Sequence, residues 1–363
     1  AVNAIRLGMA ISKALDIRDI TLGYIADSES MAQAVSLGLR TEGTAVYSLR
    51  DAAFGETVFA ARKLGTRYAI YISEDVRRSD RIELARSEER RVEQSFNRGE
   101  LMGEKNRRSE PCGMHNAPEI NAEAASSLYI KELKSRVNAP IRAKIKLKTD
   151  NMPEAVIFTK VFKDISQNEG EDLEFIAASD RMSVFCSAQG RIIPYEKLLL
   201  IACRHWFSKR MNVRLPQRAP LSCDDYARLE GQTVTHVSAS DDLELSPFSY
   251  DPLMLIADVL GYLADRSISL SAAAAELPEI VYTRRTVEVG EALPKILRRD
   301  FADLRRGRDI VLDSDGAKAY VRPLKSGRAL AMYVESVSQE AADAVCEDII
   351  KRLGISKRRG RRE

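Results

Sequence analysis

The sequence predicts a multidomain α/β protein with mixed α/β sheets and a C-terminal α+β domain. The chain has 363 residues, a length typical of roughly two to four domains. In residues 1–75, short β-forming runs alternate with helical stripes, a pattern typical of mainly parallel sheets. Near the end of the chain, two strand patterns flank a short polar loop and precede a helix. That arrangement favours an α+β domain.

Composition limits the functions that the chain can have. The 56 lysines and arginines nearly balance the 53 aspartates and glutamates, so no general affinity for nucleic acids or membranes is expected. Hydrophobic residues make up 45% of the chain, which is enough for buried cores. No apolar run is long enough to span a bilayer, and no secretory leader is visible. These features predict a cytoplasmic protein that does not enter a membrane.

The cysteines do not form a metal-binding or disulfide pattern. They are odd in number, scattered, and without any C-x-x-C spacing: Cys112, Cys186, Cys203, Cys223 and Cys346. The three histidines also stand alone, so the sequence does not indicate a zinc site. Free thiols in a reducing compartment are the better interpretation.

Residues 1–75 predict a doubly wound α/β unit. The predicted elements are a helix with the stripe Ile5, Met9, Ile11 and Leu15, a strand at 20–25, a helix with Met31, Val35 and Leu39, a strand at 45–49, a helix at 54–64 and a strand at 68–72. Asp27 or Ser28 can cap the second helix, and Gly43 ends it.

Residues 76–138 are unusually charged. Acidic and basic residues are interleaved at helical spacing over 77–91, which usually indicates a solvated helix face. The alternative is an RNA-binding surface, which needs aromatic platforms beside its arginines. Only Phe96 could serve before Tyr129, and acids intervene throughout, so the solvated helix is favoured and nucleic acid is not expected as a partner. A further helix is predicted from Leu128 to about Val137.

The middle of the chain reads as a series of short elements. They are predicted at 143–148, 155–162, 195–206 (helix, with Trp206 in the core), 221–231 (helix), 234–236 (strand) and 251–266 (helix). Their spacing suggests small α/β domains.

The most informative stretch runs from Ala319 to Glu335. Alternating residues predict two strands, and Pro323 should end the first because it cannot donate to a sheet ladder. The loop between them offers cations, a hydroxyl and a glycine that could cradle a phosphate: Arg322, Lys325, Ser326, Gly327 and Arg328. A solvated basic hairpin is the simpler interpretation of the loop alone.

A final helix follows the hairpin. Ser338 is the predicted N-cap, and Ala341, Val345, Ile349 and Leu353 form the predicted apolar face. The basic tail, KRRGRR, is interpreted as a solubilising end; contact with nucleic acid is the alternative. Another helix is predicted around 293–304, after a strand at 281–289.

The C-terminal stretch resembles the phosphate-binding segment of the α-D-phosphohexomutases, the phosphomannomutase and phosphoglucomutase family. That motif runs R-P-S-G-T-E-P-K-x-R-V-Y-V-E. Five residues match it at the same spacing, namely Arg322, Pro323, Tyr333, Val334 and Glu335, and Ser326 falls on the threonine. The S-G and E-P pairs of the family are absent here.

Further matches follow the family's order along the chain. Gly38, Leu39, Gly43 and Val46 fit G-L-x-x-x-G-x-x-V; Tyr129, Ile130 and Leu133 fit Y-I-x-x-L; Ser269, Leu270, Leu277 and Pro278 fit S-L-x-x-x-x-x-x-L-P. The resemblance implies a phosphohexomutase-like architecture of four domains. Their predicted bounds are 1–138 for domain I, 139–193 and 194–280 for reduced domains II and III, and 281–363 for the phosphate-loop domain.

The loops that perform mutase chemistry in this family have changed. Where the family has the serine loop I-T-A-S-H-N-P, this chain has Ile72-Ser73-Glu74-Asp75, and a strand-end cap is the favoured role of Ser73. The three Mg²⁺-binding aspartates fall on Ile176, Ala178 and Asp180, and one carboxylate cannot replace three. The sugar-binding motif G-E-x-S-G-H is absent around 238–248. The resemblance therefore implies a degenerate member with no catalytic residue, metal or other cofactor.

The resemblance leaves two functions open. The first is a non-catalytic module that binds a sugar phosphate or another small anion, or that scaffolds a partner enzyme. The family's first strand, G-T-S-G-x-R, is missing before Ala1. Its absence suggests an N-terminal nucleotidyltransferase domain or partner, as in proteins labelled mannose-1-phosphate guanylyltransferase/phosphomannomutase. The second is an active phosphomannomutase or phosphoglucomutase with atypical loops. Conversion of a hexose 1-phosphate to the 6-phosphate discriminates between them.

Overall fold

A computed structural model describes most of the chain. The described residues are 2–73, 86–98, 117–177, 184–216, 219–237, 245–288, 305–306, 309–314, 317–323 and 329–352. They divide into two compact units, the first formed by Ala1–Lys209 with Ala239–Ala274 and the second by Arg210–Ser238 with Ala275–Glu363. The finer division into four domains stays a prediction.

The first unit begins with a four-stranded parallel sheet in the order β3-β1-β2-β4. Its elements are α1 (Val2–Leu15), β1 (Asp19–Tyr24), α2 (Glu29–Thr41), β2 (Ala45–Arg50), α3 (Phe54–Leu64), β3 (Ala69–Ile72), α4 (Arg86–Arg98), β4 (Glu119–Asn121) and α5 (Glu123–Arg136). The predicted parallel sheet is confirmed. Helix α5 begins at Glu123 rather than Leu128, because Leu128 lies on its exposed side and the buried stripe starts earlier, at Ala125.

The parallel sheet is covered on both faces, as expected of a doubly wound unit. Ile20 and Leu22 of β1 are buried with residues of α1 and α2 on one face. Leu49 of β2 is buried with Ala60 of α3 and Ala125 of α5 on the other. Because side chains of a strand alternate between the faces of a sheet, the two sets come from different positions of the strands.

Two glycines allow α1 and α2 to lie unusually close together. A Cβ atom on Gly8 would collide with the carbonyl oxygen of Val35, and one on Gly38 would collide with that of Ile5. Gly43, just after α2, has a φ of +91°, a conformation that glycine adopts without strain. The G-L-x-x-x-G pattern is therefore explained in this chain by close helix packing at Gly38 and by a positive φ at Gly43.

A second sheet and further helices follow along the chain. The elements are β5 (Ile141–Thr149), α6 (Met152–Phe162), β6 (Ser166–Ala177), β7 (Val184–Ala188), β8 (Arg191–Ile193), α7 (Tyr195–Ser208), β9 (Val213–Pro216), α8 (Ser222–Leu229), β10 (Val234–Val237), α9 (Pro252–Arg266) and α10 (Leu270–Ala275). The sheet has the order β5-β6-β7-β8, parallel between β5 and β6 and antiparallel beyond. Trp206, predicted to lie in the core, is only half-buried. Its indole N–H donates to the carboxylate of Asp258 at 3.0 Å.

The second unit contains β9, α8 and β10, together with an antiparallel sheet and the last helix. These are β11 (Val281–Glu288), β12 (Arg305–Arg306), β13 (Asp309–Ser314), β14 (Ala317–Pro323), β15 (Ala329–Ser336) and α11 (Gln339–Arg352). The sheet order is β11-β15-β14-β13-β12, which confirms an α+β arrangement. Strands β9 and β13 were not predicted, and the helix predicted around 293–304 lies outside the described residues.

Helix α11 starts as predicted but buries a different face. The backbone N–H of Ala341 donates to Ser338 Oγ at 3.1 Å, so Ser338 is the N-cap. The fully buried residues are Ala342, Cys346, Ile349 and Ile350, whereas the predicted Ala341 and Val345 lie at the edge of the contact. The predicted face is displaced by about one residue from the buried one. Apolar side chains occur on both neighbouring faces of the helix, and the contact with the sheet determines which of them is buried.

Two sequence-based expectations concern the whole chain. Among the described residues, no helix combines the length and the apolar character that a membrane crossing requires. The four described cysteines are free thiols with buried side chains, and Cys112 lies outside the described part.

Candidate anion site

The predicted phosphate loop connects β14 to β15. Arg322 is the penultimate residue of β14 and pairs with Ala331, while Pro323 ends the strand opposite Leu330. The end of the strand at Pro323 is as predicted. Arg322 is half-buried and lies one residue before the end of the strand, next to the loop. Lys325, Ser326, Gly327 and Arg328 lie outside the described residues, so their part in the site stays a prediction.

The sheet of the second unit has two chemically distinct faces. One face carries Val321, Met332 and Val334, which form a core with α11. Residues that pair directly across strands, or lie two apart on one strand, share a face. The opposite face, called here the polar face, therefore carries residues of three strands: Lys318, Tyr320 and Arg322 from β14, Ala331, Tyr333 and Glu335 from β15, and Tyr282, Arg284, Thr286 and Glu288 from β11.

Helix α8 occupies one end of the polar face. The Glu335 carboxylate accepts the backbone N–H groups of Leu221 at 2.7 Å and Ser222 at 3.1 Å, and Lys318 Nζ lies 3.0 Å from Asp225 Oδ2. A carboxylate at a helix N-terminus satisfies N–H groups that have no partner within the helix. Burial raises the pKa of Glu335, although the hydrogen bond from Ser222 opposes that rise. The glutamate of the Y-V-E motif therefore holds a helix start.

Basic and aromatic groups lie towards the loop end of the same face. The guanidinium of Arg284 lies over the ring of Tyr333, 5.4 Å from its centroid. Among the described residues, no carboxylate forms an ion pair with exposed Arg284, whereas the charge of Lys318 is balanced by Asp225. This end of the face therefore carries the positive charges of Arg322 and Arg284, together with the carboxylate of Glu288 in the row next to the loop.

The three other loops implied by the resemblance are only partly described. Ser73 directly follows β3 and is half-buried, and residues 74–85 lie outside the described part. The segment around 238–244 lies outside it as well. Neither Ser73's role as a strand-end cap nor the loss of the sugar loop is tested, and both stay predictions.

The chemistry of the available side chains does not fit a Mg²⁺ site of the family's kind. Ile176 occupies the first of the three ligand positions, on β6, and its hydrocarbon side chain offers no oxygen to a hard cation. Ala178 and Asp180 lie outside the described residues. Within the described part, no three acidic, histidine or cysteine side chains converge to hold a metal ion. No reaction step through a metal is therefore derived for this chain.

Sequence reasoning missed a cluster of buried acids in the first unit. Tyr129 Oη donates to Asp251 Oδ2 at 2.7 Å, and the other oxygen of Asp251 accepts backbone N–H groups at the start of α9. Glu154 accepts the Thr149 hydroxyl at 3.0 Å. Glu56 accepts the backbone N–H of Ala53 at 3.0 Å. The sequence signal was an acid within an apolar helix start, as at Pro153-Glu154 and Asp251-Pro252.

Burial dominates the protonation of this cluster. Desolvation raises the pKa of Glu154 to about 7, with the hydrogen bond from Thr149 opposing it. It also raises the pKa of Asp251 to about 6, although Tyr129 donates to its carboxylate. The Tyr129–Asp251 hydrogen bond joins α5 to the start of α9, and Glu56 and Glu154 accept hydrogen bonds at the starts of their own helices. Their partners are internal groups, which indicates a role in stability.

The fold is shared with solved sugar-phosphate mutases. A phosphoglucomutase/phosphomannomutase family protein from Burkholderia thailandensis is 14% identical, with a TM-score of 0.67 over 96% of this chain and 92% of that one. An Aspergillus fumigatus N-acetylphosphoglucosamine mutase, solved with GlcNAc-6P and magnesium, is 11% identical, with a TM-score of 0.50 over 97% and 96%. An N-acetylglucosamine-phosphate mutase of the α-D-phosphohexomutase superfamily is 9% identical, with a TM-score of 0.50 over 96% and 93%.

No protein-family profile matches the sequence, and no curated protein matches it. The structural likeness nevertheless extends over nearly the whole chain and over nearly the whole of each mutase. The chain therefore has the α-D-phosphohexomutase fold, in agreement with the sequence prediction.

Proposed function

We propose that this chain is a non-catalytic module of the phosphohexomutase fold that binds a sugar phosphate or a similar small anion. It would act in the cytoplasm beside a sugar-1-phosphate nucleotidyltransferase, as a linked domain or a scaffolding partner. The fold supports the sugar-phosphate part of this proposal, because solved proteins of this fold include one bound to GlcNAc-6P. The partner is proposed from the sequence resemblance alone.

The observation that carries the proposal is the position of Arg322. It lies at the end of β14, directly before a loop whose sequence adds Lys325, Ser326 and Arg328. A guanidinium offers paired N–H donors that match phosphate oxygens. Each charge-assisted hydrogen bond of this kind contributes about 1.5–3 kcal/mol before ordering costs.

The catalytic positions argue against mutase activity. A mutase of this family needs a serine that carries phosphate and a metal that neutralises it, and Ser73 is followed by two acids, Glu74 and Asp75. Two carboxylates that directly follow the serine in sequence would repel a phosphate group on it. Ile176 stands at a metal-ligand position. We therefore propose that anion binding was retained while phosphoryl transfer was lost.

Titration with hexose phosphates tests the binding proposal. Glucose 6-phosphate and mannose 6-phosphate should bind saturably at low salt, and moderate salt should weaken the binding. Arg322→Ala should weaken it about tenfold or more, and Lys325→Ala less, because an ammonium is a poorer fork for phosphate oxygens. Arg285→Ala is the matched control, since Arg285 lies on the opposite face and pairs with Glu347 at 3.0 Å. Absence of saturable binding to the wild type would leave only the scaffold part of the proposal.

A mutase assay tests the non-catalytic part. The protein is incubated with glucose 1-phosphate or mannose 1-phosphate, Mg²⁺ and a hexose bisphosphate activator, and the 6-phosphate is measured. No product above the uncatalysed background is expected. Product formation that depends on Ser73 would establish the alternative, an active mutase with atypical loops.

A further inference from the structure

We propose that the first turn of α6 is a pH-dependent brace on β3. Glu154 holds this turn in place while its carboxyl group is protonated, and ionisation of the carboxyl group lets the turn open. Opening breaks the hydrogen bond by which Asn151, the N-cap of α6, holds Tyr71 near the end of β3. This inference goes beyond the proposed anion-binding function and does not depend on it.

One chain of hydrogen bonds connects the carboxyl group of Glu154 to β3. Asn151 Nδ2 donates to Tyr71 Oη at 2.9 Å, and Asn151 Oδ1 accepts the backbone N–H of Glu154 at 3.1 Å. Thr149 Oγ1 accepts the backbone N–H of Asn151 at 3.1 Å and donates to Glu154 Oε2 at 3.0 Å. Because the carboxyl group and the cap belong to the same turn, a displacement of Glu154 also displaces Asn151 from Tyr71.

Acidic groups of other helices face Glu154. Its side chain is only 8% exposed, and Asp251 of α9 and Tyr129 of α5 interact with it electrostatically. Glu56 of α3 interacts with the same tyrosine. Since each of these groups is neutral or negative, a negative charge on Glu154 is buried without compensation.

The cations near this cluster lie towards other acids. Arg136 acts on Asp251, and exposed Lys160 of α6 acts on Glu56. Strand β5 packs against α6, but its basic residues are all exposed and alternate with the buried ones, so they lie on the other face of the sheet: Arg142, Lys144, Lys146 and Lys148. Within the described part of the chain, no cation therefore pairs with an ionised Glu154.

Burial determines the pH range in which the brace responds. Desolvation raises the pKa of Glu154 from 4.5 to about 7, and the hydrogen bond from Thr149 limits that rise. When the turn opens, the carboxyl group regains water and ionises near its ordinary pKa, so opening becomes easier as the pH rises from about 4.5 to 7. With these two pKa values, linkage predicts that the open population increases about 40-fold between pH 5 and pH 7.

The position of the turn favours local opening over unfolding of the whole unit. Met152, its first residue, is 72% exposed, and helix ends open at lower free energy than helix centres. The rest of α6 is anchored in the core by Phe158, Val161 and Phe162, which are all buried. The first turn can therefore leave the cluster while the remainder of the helix stays packed.

Hydrogen exchange of the full-length protein, measured by mass spectrometry at pH 5, 6 and 7, tests the brace. Protection factors, corrected for the intrinsic exchange rate, are compared for the first turn of α6, for β3 and for α1 as the reference. In the wild type, protection of the α6 turn should fall about 40-fold from pH 5 to pH 7, and that of β3 should fall with it, while α1 changes little. Glu154→Gln should remove the pH dependence of both segments, and Glu132→Gln should behave like the wild type.

Two further variants separate the brace from a general loss of stability. Thr149→Val removes the hydroxyl that limits the pKa of Glu154, so the pH profile of the α6 turn should move to higher pH, a shift that also tests the brace if Glu154→Gln does not fold. Tyr71→Phe should keep the response of α6 and remove that of β3.

Several results would overturn the inference. The brace is wrong if protection of the α6 turn does not depend on pH, if α1 loses protection to the same extent, or if Glu154→Gln keeps the wild-type profile. An unshifted profile in Thr149→Val also contradicts it. If α6 responds but β3 does not, or if β3 responds equally in Tyr71→Phe, the proposed link between the turn and the strand is wrong.

Discussion

Replacing Glu154 with glutamine should stabilise the first unit at pH 8 and flatten its pH dependence between about pH 4.5 and 7. Glu154 is only 8% exposed, and burial raises its pKa from 4.5 to about 7. A carboxyl group whose pKa is higher in the folded state favours folding when it is protonated. That contribution is complete below pH 4.5 and is lost as the pH rises through about 7. Glutamine keeps a neutral side chain at every pH.

The expected magnitude follows from the change in pKa. At about 1.4 kcal/mol for each tenfold change in the acid constant, ionising buried Glu154 costs at most about 3.5 kcal/mol. The charge is in the first turn of α6, where the helix dipole returns about 0.5 kcal/mol. A net gain of about 2–3 kcal/mol at pH 8 corresponds to roughly 5 °C or more in Tm for a unit of this size.

The single tryptophan makes the assay specific. Trp206 is the only one in the sequence and belongs to the first unit, so its fluorescence during thermal unfolding reports on that unit. Glu132→Gln serves as the control, because the Glu132 side chain is only partly buried, at 38% exposure, and pairs with Arg136 one helical turn away. The reasoning is refuted if the Tm of Glu154→Gln falls between about pH 4.5 and 7 as steeply as that of the wild type.

Three further substitutions test the packing of the same unit by fluorescence-monitored unfolding. Arg136→Ala should lower the free energy of unfolding by about 3–5 kcal/mol, because it leaves the buried Asp258 carboxylate without the guanidinium that lies 2.6 Å from it. Asp251→Ala should cost about 2–4 kcal/mol through loss of the α9 cap and of the acceptor for the Tyr129 hydroxyl. Gly38→Ala should lower the free energy of unfolding by at least about 1–3 kcal/mol, since the added methyl group collides with the backbone of α1.

Controls separate these causes from general sensitivity. Asp251→Asn keeps an acceptor for the helix N–H groups and should cost less than alanine. Asp258→Asn combined with Arg136→Ala should recover part of the loss, because it removes the buried charge. Leu37→Ala, one residue before Gly38 but 45% exposed, should cost well under 1 kcal/mol. Equal losses for Gly38→Ala and Leu37→Ala would contradict the close helix contact.

Local pattern determined the elements of this protein and part of its candidate site. The parallel strands within residues 19–72, the end of β14 at Pro323 and the cap at Ser338 were all predicted, because each depends on residues a few positions apart; strand β4 was not. The family's framework was also recognisable at Gly38 and Gly43, where close helix packing and a positive φ require glycine. Arg322 was found for the same reason, since its motif is continuous in sequence.

Only the tertiary structure decided which distant residues act together. The Tyr129–Asp251 hydrogen bond joins residues 122 positions apart, and nothing local in either helix indicates the other. Glu335 was a motif residue in the sequence and became the cap of α8 once β15 was placed. Arg284 was placed on the same face as Tyr333 and Arg322 only by strand register. Register and packing bring such pairs together, and neither is encoded in the spacing of neighbouring residues.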